Sequence, residues 1–400
     1  MMFYKETNFK ETPIGKIPKD WEVNELKKVS VLIKSGCTPL KSKRDYWNGN
    51  IPFVTQADMT KVERYLHETS ERITELGAKS SNLFIVPENS ILLSMYGTIG
   101  KVVINKVPVT VSQNIAAIVS DKKCVHEEYL RYVLQMYSHQ FKRQAKIITL
   151  RHLDIRIVKK TLLPFPHLLE QQKIASILST VDEAIQKTDE IIAKTERLKK
   201  GLMHELLTKG IGHKEFKDTE IGRIPKDWEV VKVGDILSLE YGSGLPERER
   251  IPGMYPVVGS NGIVGYHNQA IVNGPGIVIG RKGTIGAVSW IDKDFWPIDT
   301  TYYVKTKISD VFLKWLFYEL IYLNPARFHL ADVVPGLKRE LVHSLKMPLP
   351  PLPEQQRIAK ILFTVDKKLE IEGNEKAKLE RIKQGLMDLL LTGKIRVKVD

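Results

Sequence analysis

The chain has 400 residues, 42% of them hydrophobic, which is enough for two ordinary domains with real cores plus connecting structure. No apolar run approaches the roughly 18–20 residues of a membrane span, the opening MMFYKETNFKET lacks the apolar stretch of a secretory signal, and Cys37 and Cys124 make neither a metal spacing nor a disulfide framework, so a reducing cytoplasm is expected. The net charge of +14 points to a polyanionic partner, most often nucleic acid.

Near the start, IGKIPKDWEV (Ile14 to Val23) is written again as IGRIPKDWEV (Ile221 to Val230), with one change, Lys16 against Arg223. A second block, EQQKIASILSTVD (Glu170 to Asp182), recurs as EQQRIAKILFTVD (Glu354 to Asp366). The first pair lies 221 − 14 = 207 positions apart and the second 354 − 170 = 184, so the stretch joining the blocks is 23 residues longer in the first copy. Two copies are too few for a solenoid and indicate a tandem duplication. What is repeated is expected to be framework. What differs is expected to be what each copy does on its own.

Between the blocks each module reads as short strands and turns. ILLSMYGTIGKVVI (Ile91 to Ile104) and GIVIGRKGTIGAVSW (Gly276 to Trp290) share GTIG between β-branched runs, which suits a hairpin turn. A phosphate loop fits less well, because the GxxxxGK[ST] spacing is missing. Helical stretches follow, YLRYVLQMYSHQF (Tyr129 to Phe141) and FLKWLFYELIYL (Phe312 to Leu323). Then LRHLDIRIVKKTLLPFP and LKRELVHSLKMPLPPLP read as extended segments leading into the second block. Basic residues gather on the expected loops: Lys41, Lys43 and Arg44; Lys142, Arg143 and Lys146; Arg281 and Lys282; Lys338 and Arg339. These are the candidate nucleic-acid-binding residues, since Lys and Arg supply affinity at phosphates and Arg also selects at base edges. Their neighbours Tyr46 and Trp47 fit core packing better than base stacking.

The second block reads as a long helix in both copies. Apolar residues fall at Ile174, Leu178, Val181, Ile185 and Ile192 with Thr188 in the gap, and again at Ile358, Leu362, Val365 and Leu369, then Leu379, Leu386 and Leu390. That is heptad spacing. About 39 residues at 1.5 Å each give a rod of roughly 58 Å, too long to bury its seam inside a small domain, so the two helices are expected to pair. Gly201 and Gly385 interrupt both at the same point, which suggests a close backbone neighbour or a local bend. Residues 170–208 hold six Lys/Arg against seven Asp/Glu, and residues 354–392 eight against seven. The helices therefore cancel, and the positive charge belongs to the modules and their flanks.

No catalytic constellation is present in the sequence. There is no Asp-Pro-Pro-Tyr or Asn-Pro-Pro-Phe tetrapeptide, no GxGxxG loop, no Walker lysine and no HExxH. The residues read as a binding protein. A stand-alone methyltransferase with degenerate motifs and an RNA-binding regulatory protein are the competing readings.

Two dissimilar modules alternating with two similar helices, one reached through LPFPHLLEQQKIASIL and the other through LPPLPEQQRIAKIL, resemble the specificity subunit of a type I restriction-modification enzyme over essentially the whole chain. The resemblance implies an α+β protein with two mixed α/β target recognition domains, residues 1–165 and 210–349. A first spacer helix at 166–209 and a second that shares 350–400 with a C-terminal tail would pack as an antiparallel coiled coil with pseudo-two-fold symmetry. It also implies double-stranded DNA as ligand, a helix pair acting as a ruler for the unread gap, two modification (methyltransferase) subunits, and restriction/translocase subunits. S-adenosylmethionine, ATP and Mg are expected on those partners, with no cofactor, metal or catalytic residue in this chain. His167-Leu168-Leu169 stands where the other copy has Pro351-Leu352-Pro353, so a less sharp start is expected for the first helix.

Overall fold

The computed structural model describes residues 3–147, 151–328 and 336–398. Two compact units appear, the first made of residues 1–187 with 376–400, the second of residues 188–375. Each contains one module and a part of both long helices.

The repeated decapeptide begins the same frame in each unit. Strands Phe9–Thr12 and Gly15–Pro18 form a hairpin, as do Phe216–Thr219 and Gly222–Pro225. Gly15 and Gly222 take φ of 100° and 108°, and the hydroxyls of Thr12 and Thr219 each donate 2.6 Å to the carbonyl of that glycine. Next, Glu22–Glu25 pairs with Leu162–Phe165, and Glu229–Lys232 with Lys346–Leu349, so each module is closed by strands from its two ends.

Inside the first module a five-stranded sheet runs Ser30–Ser35, Ile115–Ser120, Ile91–Ser94, Val102–Asn105 and Tyr65–Leu66. Its three inner strands, Ile115–Ser120, Ile91–Ser94 and Val102–Asn105, are largely apolar because both of their faces are buried. Ile91, Leu93, Val102, Ile104, Ala116 and Ile118 face one core, while Leu92, Val103, Ile115 and Ala117 face another. The second module keeps four strands, Leu237–Tyr241, Thr301–Thr306, Gly276–Gly280 and Val288–Ile291, with the same alternation: Ile277 and Ile279 face one core and Val278 the other. Within the first module's extra length lie the helices Gln56–Lys61 and Glu75–Ser80 and the short strand Tyr65–Leu66.

The segments before the long helices, expected to be extended, each contain one short helix, Ile155–Lys160 and Arg339–Ser344, before the closing strand. Asp154 starts the first by accepting the Arg156 N–H at 2.8 Å, a local side-chain cap that a reading of hydrophobic spacing passes over.

The long helices span Leu168–Thr208 and Leu352–Leu390. Their first residues are 352 − 168 = 184 apart, so the first helix starts at the equivalent position without the prolines of the second. The reason is a backbone one: His167 and Pro351 carbonyls accept the same pair of N–H groups, from Glu170 and Gln171 and from Glu354 and Gln355. Gln171 then accepts the His126 N–H at 2.9 Å and donates to the Cys124 and Pro166 carbonyls, and Gln355 repeats this with Phe312, Asp310 and Pro350. Within the first unit, Ile174, Ala175 and Leu178 share a core with Met387, Leu390 and Leu391. Within the second, Met203, Leu206 and Leu207 share one with Ile358, Ala359 and Leu362. The start of one helix thus meets the end of the other, which is antiparallel packing. A Cβ on Gly201 or Gly385 would meet nothing within 4 Å and both helices run on through them, so neither glycine admits a close neighbour.

Candidate nucleic-acid interface

The two repeated blocks of sequence touch. Trp21 of the first decapeptide is fully buried and its indole N–H donates 3.3 Å to Glu170, while Trp228 donates 2.8 Å to Glu354. A buried carboxylate needs further partners. Arg396 supplies them for Glu170, at 2.6 and 2.8 Å, and also binds Asp20 and Glu6. For Glu354 they are the Ile211 N–H and His213, both at 2.9 Å. These seams fix each module on its helix and leave its sheets and turns to differ.

In the second unit the strands Gly276–Gly280 and Val288–Ile291 are joined through Arg281, Lys282 and GTIG. Gly283 and Gly286 take φ of 75° and 74°, and Gly97 and Gly100 of the first unit 64° and 85°, so GTIG is a hairpin connection in both. The main chain before it is held tightly. Arg281 and Lys282 N–H groups both donate to the Thr300 carbonyl, at 2.9 and 3.1 Å, and the Leu337 N–H donates 2.9 Å to the Arg281 carbonyl. The Arg281 side chain donates through Nε and Nη2 to the Asp299 carbonyl, at 3.2 and 2.8 Å. Its guanidinium lies 5.2 Å from the Tyr241 ring centre and 5.9 Å from that of Tyr302, and Arg339 lies 5.4 Å from Tyr241. Such contacts attract a cation to the ring face. Tyr302 donates its hydroxyl to the Leu337 carbonyl at 2.9 Å; burial, and then the Tyr241 hydroxyl, push its pKa up to about 12, so it stays neutral.

Arg281 and Arg339 are thereby brought together around one exposed tyrosine, with Lys282 and Lys338 exposed beside them in sequence. Cations for phosphates, arginines for base edges and a ring for stacking are the chemistry of a nucleic-acid surface. Tyr241 was not among the candidates. Its signal was register: Leu237 and Leu239 point into the core, and Tyr241 continues that face past the core's edge, 53% exposed.

The candidates of the first unit are less concentrated. Lys41 pairs with Glu71 at 3.1 Å and lies 5.5 Å from the Trp47 ring, Lys43 lies 5.7 Å from Tyr46, and Arg44 is exposed on a short turn. Tyr46 and Trp47, expected in the core, are half-buried platforms for these lysines. Lys142 and Arg143 are exposed on the last turn of the helix Ser138–Gln144. Lys146 pairs its backbone with His152, and its side chain lies outside the described residues. Among the described residues, no hydrogen bond, ion pair or ring contact joins Lys41–Arg44 to Lys142 and Arg143. At the place of Arg281 the first unit has buried Met95, whose carbonyl accepts the Leu153 N–H at 2.8 Å as the Arg281 carbonyl accepts that of Leu337. Among the described residues no group of His, Cys, Asp and Glu could hold a metal ion, and no helix is long and apolar enough to cross a membrane.

A family model described as the type I restriction modification DNA specificity domain matches residues 18–197 and again residues 225–381. The MjaX type I restriction enzyme specificity subunit of Methanocaldococcus jannaschii is 33% identical, over 100% of this chain and 99% of that protein. The MjaVIII specificity subunit of the same organism is 31% identical, over 100% and 98%. The EcoprrI specificity subunit of Escherichia coli is 26% identical, over 84% and 85%. Among solved structures, the S subunit of a type I restriction-modification system from M. genitalium has the same fold at a TM-score of 0.65 and 18% identity, covering 95% of this chain and 97% of that one.

Proposed function

The chain belongs to the family of type I restriction-modification specificity subunits, and on that premise we propose that each of its two modules reads one half of a split duplex DNA target. As a member of that family it is a non-catalytic protein that confers DNA sequence specificity. The long helices dock two modification subunits in this reading, and restriction subunits join the same complex. S-adenosylmethionine, ATP and Mg are carried by those partners, and the assembly works in the cytoplasm.

One observation carries the reading of a split target. The seams Trp21–Glu170 and Trp228–Glu354 repeat, whereas the residues before GTIG do not, being Met95-Tyr96 in one unit and Arg281-Lys282 in the other. A common frame with different reading surfaces suits a target in two parts. Exchanging residues 14–165 for the corresponding module of another family member, in cells carrying the complete system, should change one half of the methylated motif and leave the other half intact. A change in both halves would end the modular reading.

A further inference from the structure

Arg281 is a charged side chain already fixed in place with no ion pair among the described residues. Its N–H and carbonyl are both bonded, its Nε and Nη2 share the Asp299 carbonyl, and its plane lies by two tyrosine rings. An arginine carries five N–H donors in a rigid fork. Two point at Asp299, which leaves the outer Nη1 and Nη2 pair at the end of the fork. No carboxylate is bonded to that end among the described residues.

A phosphate does not demand this much order, because a lysine serves it as a point charge and Lys282 is adjacent and exposed. A rigid planar fork meets two acceptors at once, and on DNA these are two oxygens of a phosphate or the O6 and N7 that guanine presents side by side in the major groove. The duplication supplies an internal control. The turn, its glycines and the bond to its carbonyl recur in both units, yet the side chain is Arg281 in one and buried Met95 in the other. Contacts to the uniform DNA backbone have no reason to differ between halves. Contacts to bases do. Resting on the reading of each module as a half-target reader, we propose that Arg281, steadied by Asp299 and the Tyr241–Tyr302 pair, reads a guanine in the half recognised by the second unit.

The test begins with methylation mapping in cells carrying the complete system, with the exchange of residues 14–165 assigning each half of the motif to its module. If that exchange altered neither half alone, the proposed function would fail before this inference was reached. Full-length protein is then bound to duplexes in which each guanine of the second unit's half is replaced in turn by 7-deazaguanine, which lacks the N7 acceptor. One replacement should lower affinity about 5- to 150-fold, and inosine at that position, which keeps O6 and N7, should not. Because the protein is unaltered, misfolding cannot produce that result. Arg281→Ala should bind the normal and 7-deaza duplexes equally and relax the methylated motif at that one position. A second-unit half without guanine would overturn the inference. So would full tolerance of 7-deazaguanine, or an Arg281→Ala variant that binds every sequence more weakly with its motif unchanged.

Discussion

Asp182 shows how much one side chain carries at the joint between module and helix. It accepts 2.9 Å from Arg131 and 2.6 Å from the Tyr132 hydroxyl, and it pairs with Lys383 at 2.7 Å. Burial pushes its pKa up, but Lys383, Tyr132 and Arg131 outweigh that and hold it below the ordinary value. A depressed carboxylate stabilises the folded state above its unfolded pKa, and that contribution is lost as pH falls below about 4. Asp182→Asn leaves the Arg131 side chain, 2% exposed, with Glu128 as its remaining carboxylate, and should cost about 3 kcal/mol in urea unfolding at neutral pH. Its counterpart Asp366 meets Lys199 at 2.6 Å and Tyr318 at 2.7 Å but is 29% exposed, so Asp366→Asn should cost about 1 kcal/mol. Equal losses would mean that burial does not set the difference. On the reading surface, Lys338→Ala with Arg339→Ala should weaken DNA binding and flatten its log–log salt dependence by roughly 0.9 for each phosphate no longer neutralised. An unchanged slope would place these residues off the phosphates. The basic candidates were visible as types in the sequence, but not their surroundings: Lys41 faces Glu71, thirty positions away, and Tyr241 has no charge to draw attention.

The long helices were legible as elements because a 3.5-residue spacing is written into Ile174, Leu178, Ile358 and Leu362, all fully buried. Their starts were not, since they rest on the His167 and Pro351 carbonyls and on Gln171 and Gln355, glutamines whose partners are distant in sequence. Matched glycines at 201 and 385 suggested crowding, and the space around them is open. A spacing pattern records which face is buried and says nothing of what stands opposite the other faces. The helix pair also carries a prediction. Four residues, about one turn or roughly 6 Å, inserted after both Thr188 and Glu372 would lengthen the two strands of the seam together. Methylation mapping should then show a gap one to two base pairs longer, with the same bases at each end. An active protein with its original gap would leave the helices a docking role alone.

At the scale of the whole molecule the duplication was readable letter by letter, and its two offsets announced the longer first module that holds Gln56–Lys61, Tyr65–Leu66 and Glu75–Ser80. The contact between the repeated blocks was not, although each block carries one partner of it, tryptophan in one and glutamate in the other. Two repeats at unequal spacing give no hint that they meet. The way Glu170 is satisfied has a wider consequence. For Glu354, the chain leaving the first long helix turns through Gly210 to Gly212 and presents His213. For Glu170, the chain leaving the second long helix turns through Gly393, presents Arg396, and lays Ile395–Val397 against Phe3–Lys5. Each helix therefore delivers its chain to the next module, and the succession has no first member. The order of elements is cyclic although the chain is a line: joined between strands Phe3–Lys5 and Ile395–Val397 and opened at Gly210–Gly212, the same order would be spelled from a different starting letter.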